Sequence, residues 1–97
     1  MSTSGNALLV LERALTMCQA KLAASSPQAT VLVSTEKQLE YLISIVKGES
    51  TDRSRLKDII LGIYAVREFE NDDPAFSNIL LEADNHAKIL RSGPWIP

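Results

Sequence analysis

Leu8, Leu11, Leu15, Cys18 and Leu22 recur at alternating steps of three and four residues, the period of one face of an α-helix. A stripe of that kind over residues 7–24 must be buried against other helices. Leu9, Val10 and Met17 widen it, so more than one neighbour is expected, while Glu12, Arg13, Thr16 and Lys21 take the wetter sides. Ser25-Ser26-Pro27 then supplies a capping hydroxyl and a proline suited to the first helical position. A second helix follows from about Pro27 to Lys47, with Val31, Leu32, Thr35, Leu39, Leu42, Ile43 and Val46 inward and Gly48 as a left-handed stop. The β-branched run Thr30 to Ser34 favours a strand on propensity alone, but nothing else in the chain offers it a partner.

Asp52 or Ser54 is placed to cap a third helix, in which Leu56, Ile59, Ile60, Ile63, Tyr64 and Val66 cover most of the circumference. This helix is expected to be the most enclosed element. Gly62 within it costs about 0.8–1 kcal/mol relative to alanine, which predicts the close approach of a neighbouring helix backbone. Asp73-Pro74 repeats the cap-then-proline signal and opens a fourth helix, with Phe76, Leu80, Ala83, Ala87 and Leu90 on one stripe and Glu82, Asp84 and Lys88 in water. Arg91-Ser92-Gly93-Pro94 ends it. Short connections favour antiparallel neighbours, so the expected fold is all-α: a compact antiparallel bundle of about four helices. Residues 1–97 read as one helical domain, with 1–6 a flexible N-terminus and 92–97 a C-terminal tail containing Trp95 and Ile96.

Composition excludes several classes of function. Ten basic and 12 acidic residues give a net charge of −2, which is no footprint for a nucleic acid, and the basic group Arg53, Arg55 and Lys57 has no interleaved aromatics. No window approaches the ~20 apolar residues of a membrane span. The lone Cys18 cannot form an internal disulfide, and the N-terminus lacks a secretory pattern, so a cytoplasmic protein is expected. Catalytic, metal and cofactor sites are all expected to be absent. His86 stands one turn after Glu82 without further ligands, Cys18 lies on an apolar stripe without an activating base, and no phosphate-binding glycine loop occurs.

What stands out is Glu68-Phe69-Glu70-Asn71-Asp72-Asp73, four carboxylates and an aromatic ring at the end of the apolar run Ile59 to Val66. Asp73 taken alone is a helix cap. As a group the carboxylates repel one another, and Glu68 and Glu70 oppose a helix dipole by about 0.3–1 kcal/mol each. Such a cost is consistent with presentation to a basic partner, with Phe69 as an apolar anchor. The charge is also uneven along the chain: residues 68–97 hold six acids and two bases, residues 1–67 six acids and eight bases.

Ser34 to Leu42, then Asp52-Arg53-Ser54, then Leu61 to Pro74 resemble, in order and spacing, a family of small bacterial immunity proteins that act against type VI secretion effectors with NAD(P)+ glycohydrolase activity. The resemblance spans about residues 7 to 90 and is most specific at Ala65-Val66-Arg67-Glu68-Phe69-Glu70. It implies a non-enzymatic inhibitor held in the producer's cytoplasm, whose partner is a cognate NAD(P)+ glycohydrolase toxin domain. Joined to the acidic run, this gives an expected binding surface of Glu68, Phe69, Glu70, Asn71, Asp72 and Asp73, with Phe69, Glu70 and Asp72 at its centre and the carboxylates occupying an electropositive pyrophosphate pocket. Gln38 and Tyr41 are second-rank contacts for which helix-to-helix packing is an equal alternative, and Lys37 offers an ion pair between helices. A helical adaptor, or a homodimer that hides Trp95 and Ile96, is the rival expectation.

Overall fold

Gly48, with φ of 78°, ends the second helix in the left-handed conformation anticipated for it. The structure is a computed structural model that describes residues 3–24 and 27–92. Its elements are α1 (Thr3–Ala23), α2 (Ala29–Val46), a 3-10 turn (Leu56–Asp58), α3 (Leu61–Tyr64) continuing into a π-helical turn (Ala65–Phe69), and α4 (Pro74–Ser92). The chain is therefore all-helical, as expected, with no strand among the described residues. Thr3 to Asn6 already belong to α1 rather than to a flexible arm. Pro27 sits in a turn and α2 begins at Ala29, while Ser25, Ser26, Trp95 and Ile96 lie outside the described residues.

The core is one cluster drawn from every helix. Leu11, Ala14 and Cys18 of α1 meet Leu32, Leu39 and Leu42 of α2, and Leu61, Ala65, Phe69, Phe76, Leu80 and Ala83 complete it. α1 packs against both α2 and α4, and α3 with its π turn packs on α4. Cross-links show the directions. Cys18 Sγ reaches the Leu32 carbonyl at 3.2 Å, so α1 and α2 form an antiparallel hairpin. Lys21 near the end of α1 reaches Asp73 at the start of α4, so α2 and α4 both set out from the end where α1 stops.

The third helix departs most from expectation. Asp52 does not cap it; its Oδ1 accepts bonds from the Ser54 N–H and hydroxyl, closing a local turn. Ile59 is extended, with ψ of 123°, and the α-helix starts only at Leu61. Nor is this element the most enclosed, since Ile63 and Val66 are 50% and 51% exposed.

The π turn follows from which residues must be buried. Leu61, Ala65 and Phe69 are all fully buried at four-residue steps. In an α-helix of 3.6 residues per turn a four-residue step overshoots, whereas in the wider π turn it falls short. One step of each returns all three side chains to the same face. The buried Ser77 hydroxyl donates to the Ala65 carbonyl at 2.9 Å, fastening the turn to α4.

Asp84, expected in water, is only 9% exposed. Its carboxylate lies against Gly62 and pairs with Lys88 at 3.4 Å. A Cβ on Gly62 would come within 2.7 Å of Asp84 Oδ2. The close approach that the glycine predicted is thus real, but it is made by a carboxylate rather than by helix backbone. Gly62→Ala should therefore destabilise by about 1–2 kcal/mol despite alanine's better helix propensity. In an Asp84→Ala background the same change should stabilise by up to about 1 kcal/mol, a reversal of sign that urea denaturation of the four proteins would measure.

Candidate functional site

Residues 68–73 lie where the π turn hands over to α4, and the fold splits them into two groups. Glu70, Asn71 and Asp72 are exposed, at the tip of the connection. Phe69 is fully buried, its ring edge-on to Phe76 with centroids 4.8 Å apart and planes at 76°. It is a core residue, so the surface anchor expected of it is corrected: burying an aromatic ring here outweighs any use at an interface. Glu68 is half-buried, and its carbonyl accepts a 2.7 Å bond from Gln28 Nε2 at the start of α2.

Asp73 is engaged within the fold. Oδ1 accepts from the Phe76 N–H at 3.2 Å, the N-cap bond of α4, and Oδ2 accepts from Lys21 Nζ at 2.9 Å. Lys21 Nζ also stands 5.6 and 5.4 Å from the Phe69 and Phe76 ring centroids. Cation, two rings and carboxylate make one junction between α1, the π turn and α4. The Lys21 hydrogen bond is the main reason the Asp73 carboxyl lies below its ordinary range, with partial burial opposing it and the Phe76 amide assisting.

Gln38 and Tyr41 have structural partners. Gln38 Oε1 accepts from the Ile60 N–H at 2.9 Å and its Nε2 donates to Ser34 Oγ at 3.2 Å, while the Tyr41 hydroxyl donates to the Asp52 carbonyl at 2.6 Å. Both tie the 51–60 segment onto α2, a loop-to-helix contact rather than the helix-to-helix packing weighed for them. Lys37 is exposed and forms no ion pair among the described residues; Lys21–Asp73 is the pair that joins helices. The acidic edge free to meet a partner is therefore Glu70 and Asp72, with Asn71 between them and Glu68 half-buried beside them.

Beside this edge lies a groove that the sequence did not announce, about 480 Å³ in volume, between Leu61–Phe69 and α4. Ile63, Val66 and Leu81 line it, and Arg67, Lys88 and Arg91 stand around it. One signal for it was present: apolar residues covering nearly a whole helix circumference exceed what one buried face can hold.

No group of three or more His, Cys, Asp or Glu among the described residues is placed to hold a metal ion. Burial pushes the Cys18 thiol up to about 11, with Glu36 adding to the rise. No helix among the described residues is long and apolar enough to cross a membrane.

Such a fold, with an exposed carboxylate edge and a partly apolar groove lined by Arg67, Lys88 and Arg91, defines a small helical module. The comparisons give that class a family. The chain belongs to the Tsi6 family, whose profile matches residues 6–89. It is 42% identical over 73 residues to the immune protein Tsi6 of Pseudomonas aeruginosa PAO1, covering 75% of this chain and 77% of that relative. The fold is similar to a chain in the solved structure of Tse6 in complex with Tsi6, with a TM-score of 0.83 and 37% identity over 90% of this chain and 92% of the other. Tsi6 from Pseudomonas aeruginosa, solved separately, gives a TM-score of 0.78 at 37% identity, covering 90% and 95%.

Two outcomes test this geometry. A carboxyl depressed on folding stabilises the protein above its unfolded titration range, and that contribution is lost as pH falls through the folded value. Asp73→Asn keeps a side chain able to cap α4 and loses the charge that faces Lys21, so it should cost about 0.2–1 kcal/mol near neutral pH, and part of the wild-type loss of stability in acid should vanish in the variant, as parallel melting curves from neutral to acid pH will record. Cys18 in the folded protein should react with a thiol reagent at least about a hundredfold more slowly than in the unfolded chain, measured as labelling rates with and without denaturant.

Proposed function

We propose that this chain is an immunity protein of type VI secretion. It binds a cognate effector toxin domain in the cytoplasm of the producing cell and denies substrate to that domain's NAD(P)+ glycohydrolase site. The observation that carries the reading is family membership together with a TM-score of 0.83 to a chain of the Tse6–Tsi6 complex. The alternative of an adaptor or homodimer without a toxin partner has no comparable support.

The physics of inhibition requires no reaction on this chain. A dinucleotide site must attract a pyrophosphate, so its mouth is electropositive. Glu70 and Asp72, exposed at the tip of a turn fastened by Phe69 and Asp73, present negative charge to that field without having to be ordered on binding. The Lys21–Asp73–Phe69 junction supplies the rigidity. In this arrangement Phe69 and Asp73 contribute by support and Glu70 and Asp72 by contact, with Asn71 between them, while Gln38 and Tyr41 act by holding the 51–60 segment.

The deciding experiment combines the product of the neighbouring gene with NAD+ or NADP+ and follows nucleotide consumption. Addition of this chain should stop turnover at about one equivalent, and the chain alone should consume nothing; a toxin that keeps its full rate rules the function out. Glu70→Gln/Asp72→Asn should slow association about tenfold at low salt and flatten its salt dependence, with stability within about 0.5 kcal/mol of wild type. Stopped-flow association at two ionic strengths measures this, and unchanged rates would remove the electrostatic part of the mechanism.

A further inference from the structure

The acidic edge leaves the neighbouring groove unexplained. Ile63, Val66 and Leu81 are 50%, 51% and 38% exposed, so three large apolar side chains face water along one depression. Isolated exposed apolar residues are ordinary, whereas a contiguous set in a concave surface marks a binding site.

Cross-links between its two walls give the groove a direction. Phe69 packs on Phe76, the Ala65 carbonyl accepts from Ser77, Gly62 lies against Asp84, and Arg53 donates to the Leu90 carbonyl at 3.3 Å. The chain from 53 to 69 therefore runs antiparallel to α4, and its charges can be ordered from the 70–73 turn to the end of α4. Glu70 and Asp72 come first, then Arg67, then the apolar set Val66, Ile63 and Leu81. Asp84 follows, and Lys88 and Arg91 close the series. The order is negative, positive, apolar, negative, positive. Turned end for end about its apolar centre, this series meets the opposite sign at every step.

We propose that the groove is the interface of a two-fold homodimer of this chain. A two-fold axis requires a surface that complements itself, and the charge order supplies one. Glu70 and Asp72 face Lys88 and Arg91 of the second copy, and Arg67 faces its Asp84. Lys88 already neutralises part of Asp84 within each copy, so the outer pairs carry most of the attraction. Ile63 and Val66 stand on one wall at half exposure, and the wall of each copy enters the groove of the other, ridge into groove. A face of this size makes a weak dimer, which gives way to a tighter partner. Dimerisation covers Glu70 and Asp72, the carboxylates assigned above to the effector, so dimer and toxin complex exclude each other. That competition rests on the immunity function proposed above; the dimer itself does not.

Sedimentation of the full chain tests the interface. Wild type should dimerise with a dissociation constant on the order of 10 µM. Ile63→Ser/Val66→Ser removes apolar surface that is already half exposed, and far-UV circular dichroism with a melting curve establishes that the fold is retained. Association should weaken at least about thirtyfold in this variant. Glu70→Lys/Asp72→Lys and Arg91→Glu should each weaken it about tenfold alone, and an equimolar mixture of the two should associate about tenfold more tightly than either. A wild type that stays monomeric to about twentyfold above the expected constant overturns the proposal, as does a dimer that the serine variant leaves intact or a mixture no tighter than its components. If wild type is monomeric and the serine variant loses inhibition of the product of the neighbouring gene, the groove belongs to the effector; the dimer is overturned and the immunity function stands. Where dimers prevail, wild type should bind that product at least about threefold more slowly than the serine variant, and equal rates overturn the competition. A wild type that dimerises as described but leaves nucleotide consumption untouched removes the immunity function and keeps the dimer.

Discussion

Burial of Phe69 beneath Lys21 is the constraint on which the rest of the structure depends. The ring packs edge-on against Phe76, the ammonium lies near both rings, and Asp73 holds the ammonium while capping α4. Four segments meet there: the end of α1, the π turn, the first turn of α4 and, through Gln28 and the Glu68 carbonyl, the start of α2. Lys21 and Asp73 are both partly exposed, so their attraction alone is worth little. Joined to a buried aromatic pair and an N-cap, the same contact fixes how the connection 70–73 leaves the core.

From that fixed point the exposed surface of residues 63–72 follows. Once Leu61, Ala65 and Phe69 must share a buried face, the turn between them widens, and the residues left over point outward. Val66 and Arg67 become part of the groove, and Glu70, Asn71 and Asp72 become the tip. The acidic edge is held by groups that are buried or bonded within the fold. This division of labour suits an inhibitor, since a preorganised charge loses less entropy on binding than one on a mobile loop.

The small residues on α4 and α3 show how tightly the groove is specified. Asp84 is accepted at low exposure because Gly62 leaves room for its carboxylate and Lys88 supplies a partner. A larger residue at 62 would displace that carboxylate and with it Lys88 beside the groove.

Much of this fold was legible in the residues alone. Three- and four-residue periodicity identified α1, α2 and α4, Gly48 marked the stop of α2, and Asp73-Pro74 marked the start of α4. Those signals are local, because periodicity and caps depend on neighbours within a turn or two of the chain. The resemblance carried by Ala65 to Glu70 reached the family as well. Tertiary structure decided what local signals cannot: Phe69 went inward, Asp73 went to Lys21 some 52 positions away, Gln38 and Tyr41 went to the 51–60 segment, and Ile63 and Val66 stayed in water. A run of apolar and acidic residues records which side chains are available for burial or display. Which of them are spent on the core depends on contacts between distant segments, and only the packed chain makes those contacts.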